Sequence, residues 1–339
     1  MKRQIIVRVP ATSANLGPGF DCLGLALDLW NEFEWQETGD RNQESGDGSQ
    51  ESGTASSSVV RHPSSESFIS TIGEGAGALP TDGRHLVAQT LADEYTRLTG
   101  NTRPAFRLTC RYAVPAGSGL GSSSTAVLGG LLLAHALAGE PTDGFFDPHG
   151  SVLARAIEME GHGDNVAPAL LGGLIIVSAQ PGSGAGTPMF TITRRVSTPA
   201  LRVVVCVPDF HFLTMAARSV VPTTLSRADA IFNVGRALLV IEALRSGDYE
   251  LLGRSMDDRI HEPFRIPVVP GAQAARSAAL NAGASAVALS GAGPGLIAFA
   301  ETHHSAIGQS MVQAFAAHGL RSRYWVLDAP ATGATIECA

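Results

Sequence analysis

PAGSGLGSSST, residues Pro115–Thr125, joins a predicted strand to a long apolar helix that runs to about Ala138. Its three glycines carry no side chains, so backbone N–H groups can approach an anion, and the following helix N-terminus adds a favourable dipole. Ser122, Ser123 and Ser124 offer hydroxyls to a phosphate or to a magnesium ion. The segment predicts a phosphate-binding loop. A flexible turn before a serine-capped helix is the structural alternative.

This loop differs from two common phosphate-binding patterns. A Walker A loop ends in Gly-Lys-Ser/Thr, and this segment has no lysine. The dinucleotide-binding fingerprint is G-x-G-x-x-G near the start of its fold, whereas the pattern here is G-x-G-x-G in another context. The sequence therefore indicates a different class of nucleotide-binding protein.

Two more glycine-rich loops occur along the chain. ATSANLGPGFD, Ala11–Asp21, follows a predicted short strand that Pro10 is expected to end, and SGAGPG, Ser290–Gly295, lies between two predicted strands. Alone, the first could be a structural turn in which Asp21 caps a helix. Alone, the second could be a plain hairpin.

Composition limits the class of protein. At roughly 150 residues per domain, 339 residues predict two domains, and 44% apolar residues are enough for a packed core. A net charge of −7 argues against nucleic acid as the main partner. Four separated cysteines form no CxxC pair, which favours a reduced, cytoplasmic protein over a zinc or redox protein. No signal peptide is expected, and no apolar stretch reaches the ~20 residues that a membrane helix needs.

One segment has a different composition. Glu37–Ser58 is made of Gly, Ser, charged and other polar residues, with Ala55 its only apolar residue, so we predict a surface insertion over about 37–67 that contributes nothing to the core. The loop Gln180–Pro188 predicts a domain boundary, giving domains 1–188 and 189–339. The second domain is predicted to run strand, helices, strand, strand, helix, strand, which resembles a split βαβ, ferredoxin-like layer.

Together the three loops resemble the three motifs of the GHMP kinases, named after galactokinase, homoserine kinase, mevalonate kinase and phosphomevalonate kinase. TSANLGPGFDCLGLAL, EGHGDNVAPALLGG and the segments around Arg218 and Arg265 are similar to the homoserine kinase family. The resemblance covers about Val7 to Leu327. It implies an α+β, two-domain fold, with an N-terminal ribosomal-protein-S5-like domain that binds ATP and a C-terminal ferredoxin-like domain.

The activity that the resemblance implies is phosphoryl transfer from ATP, with Mg²⁺, to the side-chain hydroxyl of L-homoserine. The product would be O-phospho-L-homoserine, used in threonine biosynthesis. Homoserine is a zwitterion, so its site needs an anion for the ammonium, a fork for the carboxylate and polar groups for the hydroxyl. The expected partner is this small molecule, without nucleic acid or membrane, and a homodimer is also considered.

The resemblance assigns individual residues to roles. Those expected to bind the nucleotide are Pro115, Gly117, Ser118, Gly119, Leu120, Gly121, Ser122 and Ser123. Those expected to bind the substrate are Asn15, Asp21, His162, Asn165, Thr214, Arg218, Arg265, Gly291 and Gly293. The catalytic group comprises Asn165, His162, Ser123 and Glu160, of which Ser123 and Glu160 are also the expected magnesium ligands.

Two questions stay open at this level. The first is the metal ligand, for which Glu158 is an alternative to Glu160. The second is the catalytic base, because no residue stands out in that role. Catalysis is therefore expected to depend on positioning of the substrates and on neutralisation of the phosphate charge. The alternative functions are another small-molecule kinase of this superfamily, such as mevalonate kinase, and a non-catalytic ligand sensor. Asp21 with two arginines fits a zwitterion better than mevalonate, which lacks an ammonium.

Overall fold

The computed structural model describes residues 3–38, 68–147, 150–180, 190–210 and 214–339. Apart from its first two residues, the predicted insertion 37–67 lies outside the described residues, and so does most of the loop Gln180–Pro188.

Strands in the described residues form two sheets. They are β1 (Gln4–Ala14), β2 (Leu23–Glu37), β3 (Phe68–Gly73), β4 (Phe106–Tyr112), β5 (Leu174–Gln180), β6 (Phe190–Val196), β7 (Arg202–Pro208), β8 (Ala286–Leu289), β9 (Leu296–Phe299), β10 (Ser322–Asp328) and β11 (Thr335–Cys338). The first sheet has the order β11-β1-β2-β4-β3, and β5 pairs with both β2 and β6. This sheet therefore takes strands from both sides of residue 188.

Helices cover these sheets. Those before residue 200 are α1 (Leu86–Thr99), α2 (Ser122–Ala138), α3 (Ser151–Glu160) and α4 (Val166–Leu171), with a 3-10 turn at Thr142–Gly144. Those after it are α5 (Thr214–Ser219), α6 (Arg227–Ser246), α7 (Tyr249–Ser255), α8 (Glu262–Arg265), α9 (Ala272–Asn281) and α10 (His304–Ala317), with a 3-10 turn at Ile266–Val268.

β1 is longer than the sequence predicted. We expected Pro10 to end it, but the strand continues to Ala14 through a shift in register between Pro10 and Ala11. Proline has no N–H for the ladder, and a bulge is a place in a sheet where that loss is tolerated. The continuation carries the chain directly from the sheet into the first glycine-rich loop.

The second sheet confirms the ferredoxin-like layer. Its strand order is β10-β7-β9-β8. When the four strands of this sheet are numbered 1 to 4 along the chain, their order across the sheet is 4-1-3-2. Every pair of neighbouring strands is antiparallel, as a split βαβ unit requires. The helices α9 and α10 pack on each other, and α10 packs on β7 and β10.

α2 is the central helix of the first domain. It packs against α1, α3 and β1, and every residue from Ser124 to Leu137 is buried. A helix that is apolar on every side must be surrounded by protein. Its N-terminus, at the phosphate loop, is therefore held in a fixed position by the core.

Candidate active site

The three glycine-rich loops interlock where the two sheets meet. The N–H of Gly291 donates to the carbonyl of Ala14 over 3.0 Å, and the side-chain amide of Asn15 donates to the carbonyl of Gly291 over 2.7 Å. The hydroxyl of Ser290 donates to the carbonyl of Gly119 over 2.9 Å. The first and third loops thus fix the position of the phosphate loop.

Two glycines of the phosphate loop are sterically required. Gly119 has a φ of +81°, and a Cβ there would lie 2.2 Å from the carbonyl oxygen of Ser290. Gly121 has a φ of +69°, and its Cβ would lie 2.2 Å from Oγ1 of Thr12. Both the positive φ and the absence of space exclude a side chain.

The N-terminus of α2 is open to the pocket. Gly121 is its N-cap residue, and no side chain caps the helix. The alternative of a serine-capped helix is therefore wrong, because the Ser122 hydroxyl donates instead to the carbonyl of Val114 over 3.3 Å. The first N–H groups of a helix lack intrahelical partners, so this end of α2 can bind phosphate oxygens.

Glu160 ends α3 beside this helix terminus. The hydroxyl of Ser123 donates to Oε1 of Glu160, and that of Ser124 to Oε2, each over 2.8 Å. A hydroxyl and a carboxylate are hard oxygen ligands of the kind that Mg²⁺ takes together with phosphate oxygens and water. Glu158, which is exposed, instead accepts from Arg155 over 2.7 Å. Of the two glutamates, only Glu160 lines the pocket.

An acidic residue and an arginine face each other across the pocket. Nη2 of Arg218 lies 3.1 Å from Oδ1 of Asp21, and Nη1 lies 3.3 Å from Oδ2. The two side chains are 41% and 36% exposed, so a ligand can reach both. Asp21 is held by its backbone N–H, which donates to Oδ1 of Asn15 over 2.9 Å.

Arg265 lies deeper in the same pocket and is buried. Its Nε donates to the carbonyl of Ala217 over 2.9 Å, and its guanidinium lies 5.1 Å from the ring centroid of Phe20. Burial and the positive charge of Arg218 lower the pKa of Arg265. The pocket therefore holds a second cation besides Arg218, and among the described residues Arg265 makes no ion pair with a carboxylate, which favours binding of an anionic group.

His162 and Asn165 line the same pocket as the phosphate loop and the two arginines. Nδ1 of His162 is 2.7 Å from Oδ1 of Asp164. Burial opposes the charged ring, but the hydrogen bond to Asp164 and the charges of Asp164 and Glu160 outweigh it, so the pKa of His162 is raised. Oδ1 of Asn165 accepts from the hydroxyl of Thr12 over 2.8 Å, which leaves the amide NH₂ of Asn165 as a donor.

Most of the predicted site residues line one pocket. These are Asn15, Asp21, Gly117, Ser118, Gly119, Gly121, Ser122, Ser123, Glu160, His162, Asn165, Arg218, Arg265, Gly291 and Gly293. Leu120 is buried in the core below, and its N–H already donates to Oγ of Ser118. Thr214 begins α5, and its side chain lies outside the described part of the structure.

Pro115 lines a neighbouring groove that shares Gly117 and Ser118 with the pocket. The groove has a volume of about 820 Å³. Apolar side chains line part of it, including Leu79, Phe210 and Val312. The residues that line this groove are far apart in the sequence, so no local motif could have indicated it.

Several contributing residues were missed by sequence reasoning. Thr12 lies inside the first glycine-rich loop, and that position was an available signal. Asp258 had no such signal, and His261 begins the segment around Arg265 but was not assigned a role. Oδ2 of Asp258 accepts from the N–H of His261 over 2.8 Å, and Nε2 of His261 lies 2.9 Å from the carbonyl of Gly17, so this pair fixes the segment before Arg265 to the first loop.

Comparison with known proteins agrees with this geometry. The GHMP kinases N terminal domain matches residues 85–173, and the GHMP kinases C terminal family matches residues 240–317. The fold and site thus define a GHMP-type small-molecule kinase. Homoserine kinase of Desulfitobacterium hafniense is 37% identical over 97% of this chain and 99% of its own length. Homoserine kinase of Moorella thermoacetica is 37% identical over 93% of this chain and 94% of its own length.

Among solved structures, homoserine kinase from Cytophaga hutchinsonii superposes with a TM-score of 0.76 and 27% identity, covering 98% of this chain and 97% of the other. With relatives of this identity over nearly the whole length, the chain belongs to the homoserine kinase family of the GHMP kinases. The expected fold class is confirmed. No described helix is long and apolar enough to cross a membrane.

Proposed function

We propose that this protein transfers the γ-phosphoryl group of ATP to the side-chain hydroxyl of L-homoserine, giving O-phospho-L-homoserine. The observation that carries the proposal is the pocket itself. Asp21, Arg218 and Arg265 line it together with the phosphate loop. This charge set is complementary to an amino acid placed next to a phosphate group.

The zwitterion fits the pocket by charge. The ammonium of homoserine would bind Asp21. Its carboxylate would accept hydrogen bonds from the guanidinium groups of Arg218 and Arg265, which can donate to a carboxylate bidentately. In the structure Arg218 pairs with Asp21. Substrate binding would therefore replace one internal ion pair by two ion pairs to the ligand. Mevalonate, having no ammonium, would leave Asp21 without this partner.

The nucleotide would bind along the loop and into the groove. The triphosphate would accept hydrogen bonds from the phosphate loop and from the N-terminus of α2. The adjoining groove at Pro115 would hold the base and ribose, because it continues from Gly117 and Ser118. Ser123 and Glu160 would hold Mg²⁺, which neutralises charge on the phosphates when it is bound.

The chain's own residues would act mainly by positioning. The substrate hydroxyl oxygen would form a bond to the γ-phosphorus as the bond from that phosphorus to the β,γ-bridging oxygen breaks. ADP would leave, and the hydroxyl proton would pass to the transferred phosphoryl group and then to solvent. His162 and Asn165 would hold the hydroxyl in line, since both line the pocket and Asn165 lies beside Gly121 of the phosphate loop. A loose transition state needs little activation of the attacking oxygen, so a strong base is not required.

A substrate panel tests the proposal. Purified protein with ATP and Mg²⁺ is incubated with L-homoserine, mevalonate or galactose, and ADP release is followed by a coupled assay and phosphorus NMR. Homoserine should be phosphorylated at its side-chain hydroxyl, and the other two should give background rates. Turnover of mevalonate alone would favour the other kinase. Binding without any turnover would favour a ligand sensor.

The location of the reaction is proposed as the cytoplasm. ATP is the proposed phosphoryl donor, and all four cysteines, Cys22, Cys110, Cys206 and Cys338, are unpaired. Fractionation of cells that express the tagged protein tests this directly.

A further inference from the structure

A buried glutamate begins α8. Glu262 is 2% exposed, and it is not among the described residues that line the pocket. A carboxylate is costly to bury unless its charge is paired and its oxygens accept hydrogen bonds. Both conditions are met, because the guanidinium of Arg276 donates to Oε2 over 2.9 Å and the backbone N–H of Leu289 donates to Oε1 over 2.6 Å. One side chain of α8 therefore joins two other elements, α9 and the end of β8.

The contact with Leu289 leads to the acidic residue of the pocket. Leu289 is the last residue of β8, two positions before Gly291 in the third glycine-rich loop. The carbonyl of Gly291 accepts from the side-chain amide of Asn15, and Oδ1 of Asn15 accepts from the N–H of Asp21. A connected series of backbone and hydrogen bonds thus runs from the carboxylate of Glu262 to Asp21.

The backbone of Glu262 leads to the buried arginine of the pocket. Glu262 and Arg265 are the first and last residues of α8, so they lie one helical turn apart. The N–H of Glu262 donates to Oδ2 of Asp258 over 2.7 Å, and the N–H of Arg265 donates to the carbonyl of His261 over 3.0 Å. The turn is therefore well ordered, and the side chain of Glu262 fixes its place relative to β8.

We propose that Glu262 is a positioning residue that sets the distance between Arg265 and Asp21. The inference rests on the proposed function, in which Arg265 binds the carboxylate of the substrate and Asp21 binds its ammonium. An α-amino acid carries these two charges on one carbon, so their spacing is fixed. Both can be bound at once only while the two protein groups keep the matching distance.

The two contacts of Glu262 have different roles in this proposal. The bond from Leu289 holds β8 against α8, whereas Arg276, which is 19% exposed, balances the buried charge. Burial raises the pKa of Glu262, and the charge of Arg276 opposes that rise. Loss of Arg276 should therefore reduce stability without removing the bond to Leu289. The two roles can be separated by changing one partner at a time.

Steady-state kinetics of full-length variants test the proposal. Glu262→Leu removes both acceptor oxygens and should raise the homoserine KM about tenfold or more, while kcat changes less than about threefold. Glu262→Gln keeps an acceptor oxygen for the N–H of Leu289 and should hold this KM within about threefold of the wild-type value. ATP affinity, measured by calorimetry, should stay within about twofold, because the N–H of Thr12 still donates to the carbonyl of Leu120 in the phosphate loop over 3.1 Å.

Arg276→Met is the matched control. It should lower the Tm, because a buried charge loses its partner, and yet leave the homoserine KM within about twofold. Hydrogen exchange measured by NMR reports the structural contact without any turnover. The amide of Leu289 should exchange faster in Glu262→Leu and remain protected in Arg276→Met.

Three results would overturn the proposal. They are a folded Glu262→Leu protein with the wild-type homoserine KM, an equal rise of that KM in Arg276→Met, and a Leu289 amide that stays protected in Glu262→Leu. If Glu262→Leu does not fold, Glu262→Asp replaces it, since it keeps the charge on a shorter side chain. It should raise the KM at least about threefold, and an unchanged KM would again contradict the role.

Failure of this inference is distinct from failure of the proposed function. A wild-type protein that does not phosphorylate homoserine refutes the proposed function. A wild-type protein that phosphorylates homoserine, together with a Glu262→Leu protein of unchanged homoserine KM, refutes the positioning role alone.

Discussion

Replacement of Arg265 by lysine tests whether this buried cation binds the substrate carboxylate. Lysine keeps the charge but loses the planar fork and the Nε donor that now bonds the carbonyl of Ala217 over 2.9 Å. A hydrogen bond to a charged group is worth about 1.5–3 kcal/mol. At about 1.4 kcal/mol per tenfold change, loss of one such bond to the substrate should raise the homoserine KM about 10- to 150-fold.

The assay separates the two substrates. Initial rates are measured with homoserine varied at saturating ATP, and then with ATP varied at saturating homoserine. The ATP KM should stay within about twofold, because Arg265 faces the acceptor end of the pocket. Arg254→Lys, at an exposed position near the end of α7, is the matched control and should change neither constant.

The unfolding free energy of the Arg265→Lys protein must be measured alongside its kinetics. The carbonyl of Ala217 loses its partner in Arg265→Lys, which should cost on the order of 1 kcal/mol of unfolding free energy and lower the Tm by a few degrees. A folded Arg265→Lys protein with weaker ATP binding and an unchanged homoserine KM would refute the assignment of Arg265 to the substrate.

Three further predictions concern the phosphate loop, the metal ligand and the histidine. Gly121→Val should reduce ATP affinity, measured by calorimetry, at least about tenfold, because the new Cβ would lie 2.2 Å from Oγ1 of Thr12. The control Gly83→Ala, where a Cβ meets open space, should leave ATP affinity unchanged. Glu160→Gln should raise the Mg²⁺ concentration needed for half-maximal turnover several-fold while Glu158→Gln leaves it unchanged; equal effects of both would contradict the ligand assignment. The pKa of His162 is raised, so its interaction with Asp164 stabilises the folded protein fully below pH ~6.5 and is lost as pH rises through the raised value. Asp164→Asn should move the His162 titration in NMR to lower pH, and an unmoved titration would show that Asp164 is not the cause.

The sequence by itself determined the phosphate loop, because the glycines and serines of Pro115–Thr125 are contiguous and their chemistry is local. Gly119 and Gly121 have the positive φ angles that such a loop needs. It also indicated the strand and helix order of the ferredoxin-like layer, since periodicity is a property of short segments. The resemblance of three separated motifs then supplied the residues of the acceptor site.

Only the tertiary structure decided how these pieces meet. It showed that β1 passes through Pro10 by a bulge, and that Asp258 and His261 hold the segment before Arg265 against the first loop. It placed Glu160, and not Glu158, against Ser123 and Ser124, because one residue of helix rotates a side chain by about 100° and only packing fixes which one faces inward. The exposure of Ile231, Val234 and Leu238 on α6 also emerged only in the folded chain, because apolar and polar residues alternate around this helix and its sequence does not indicate which side the core covers.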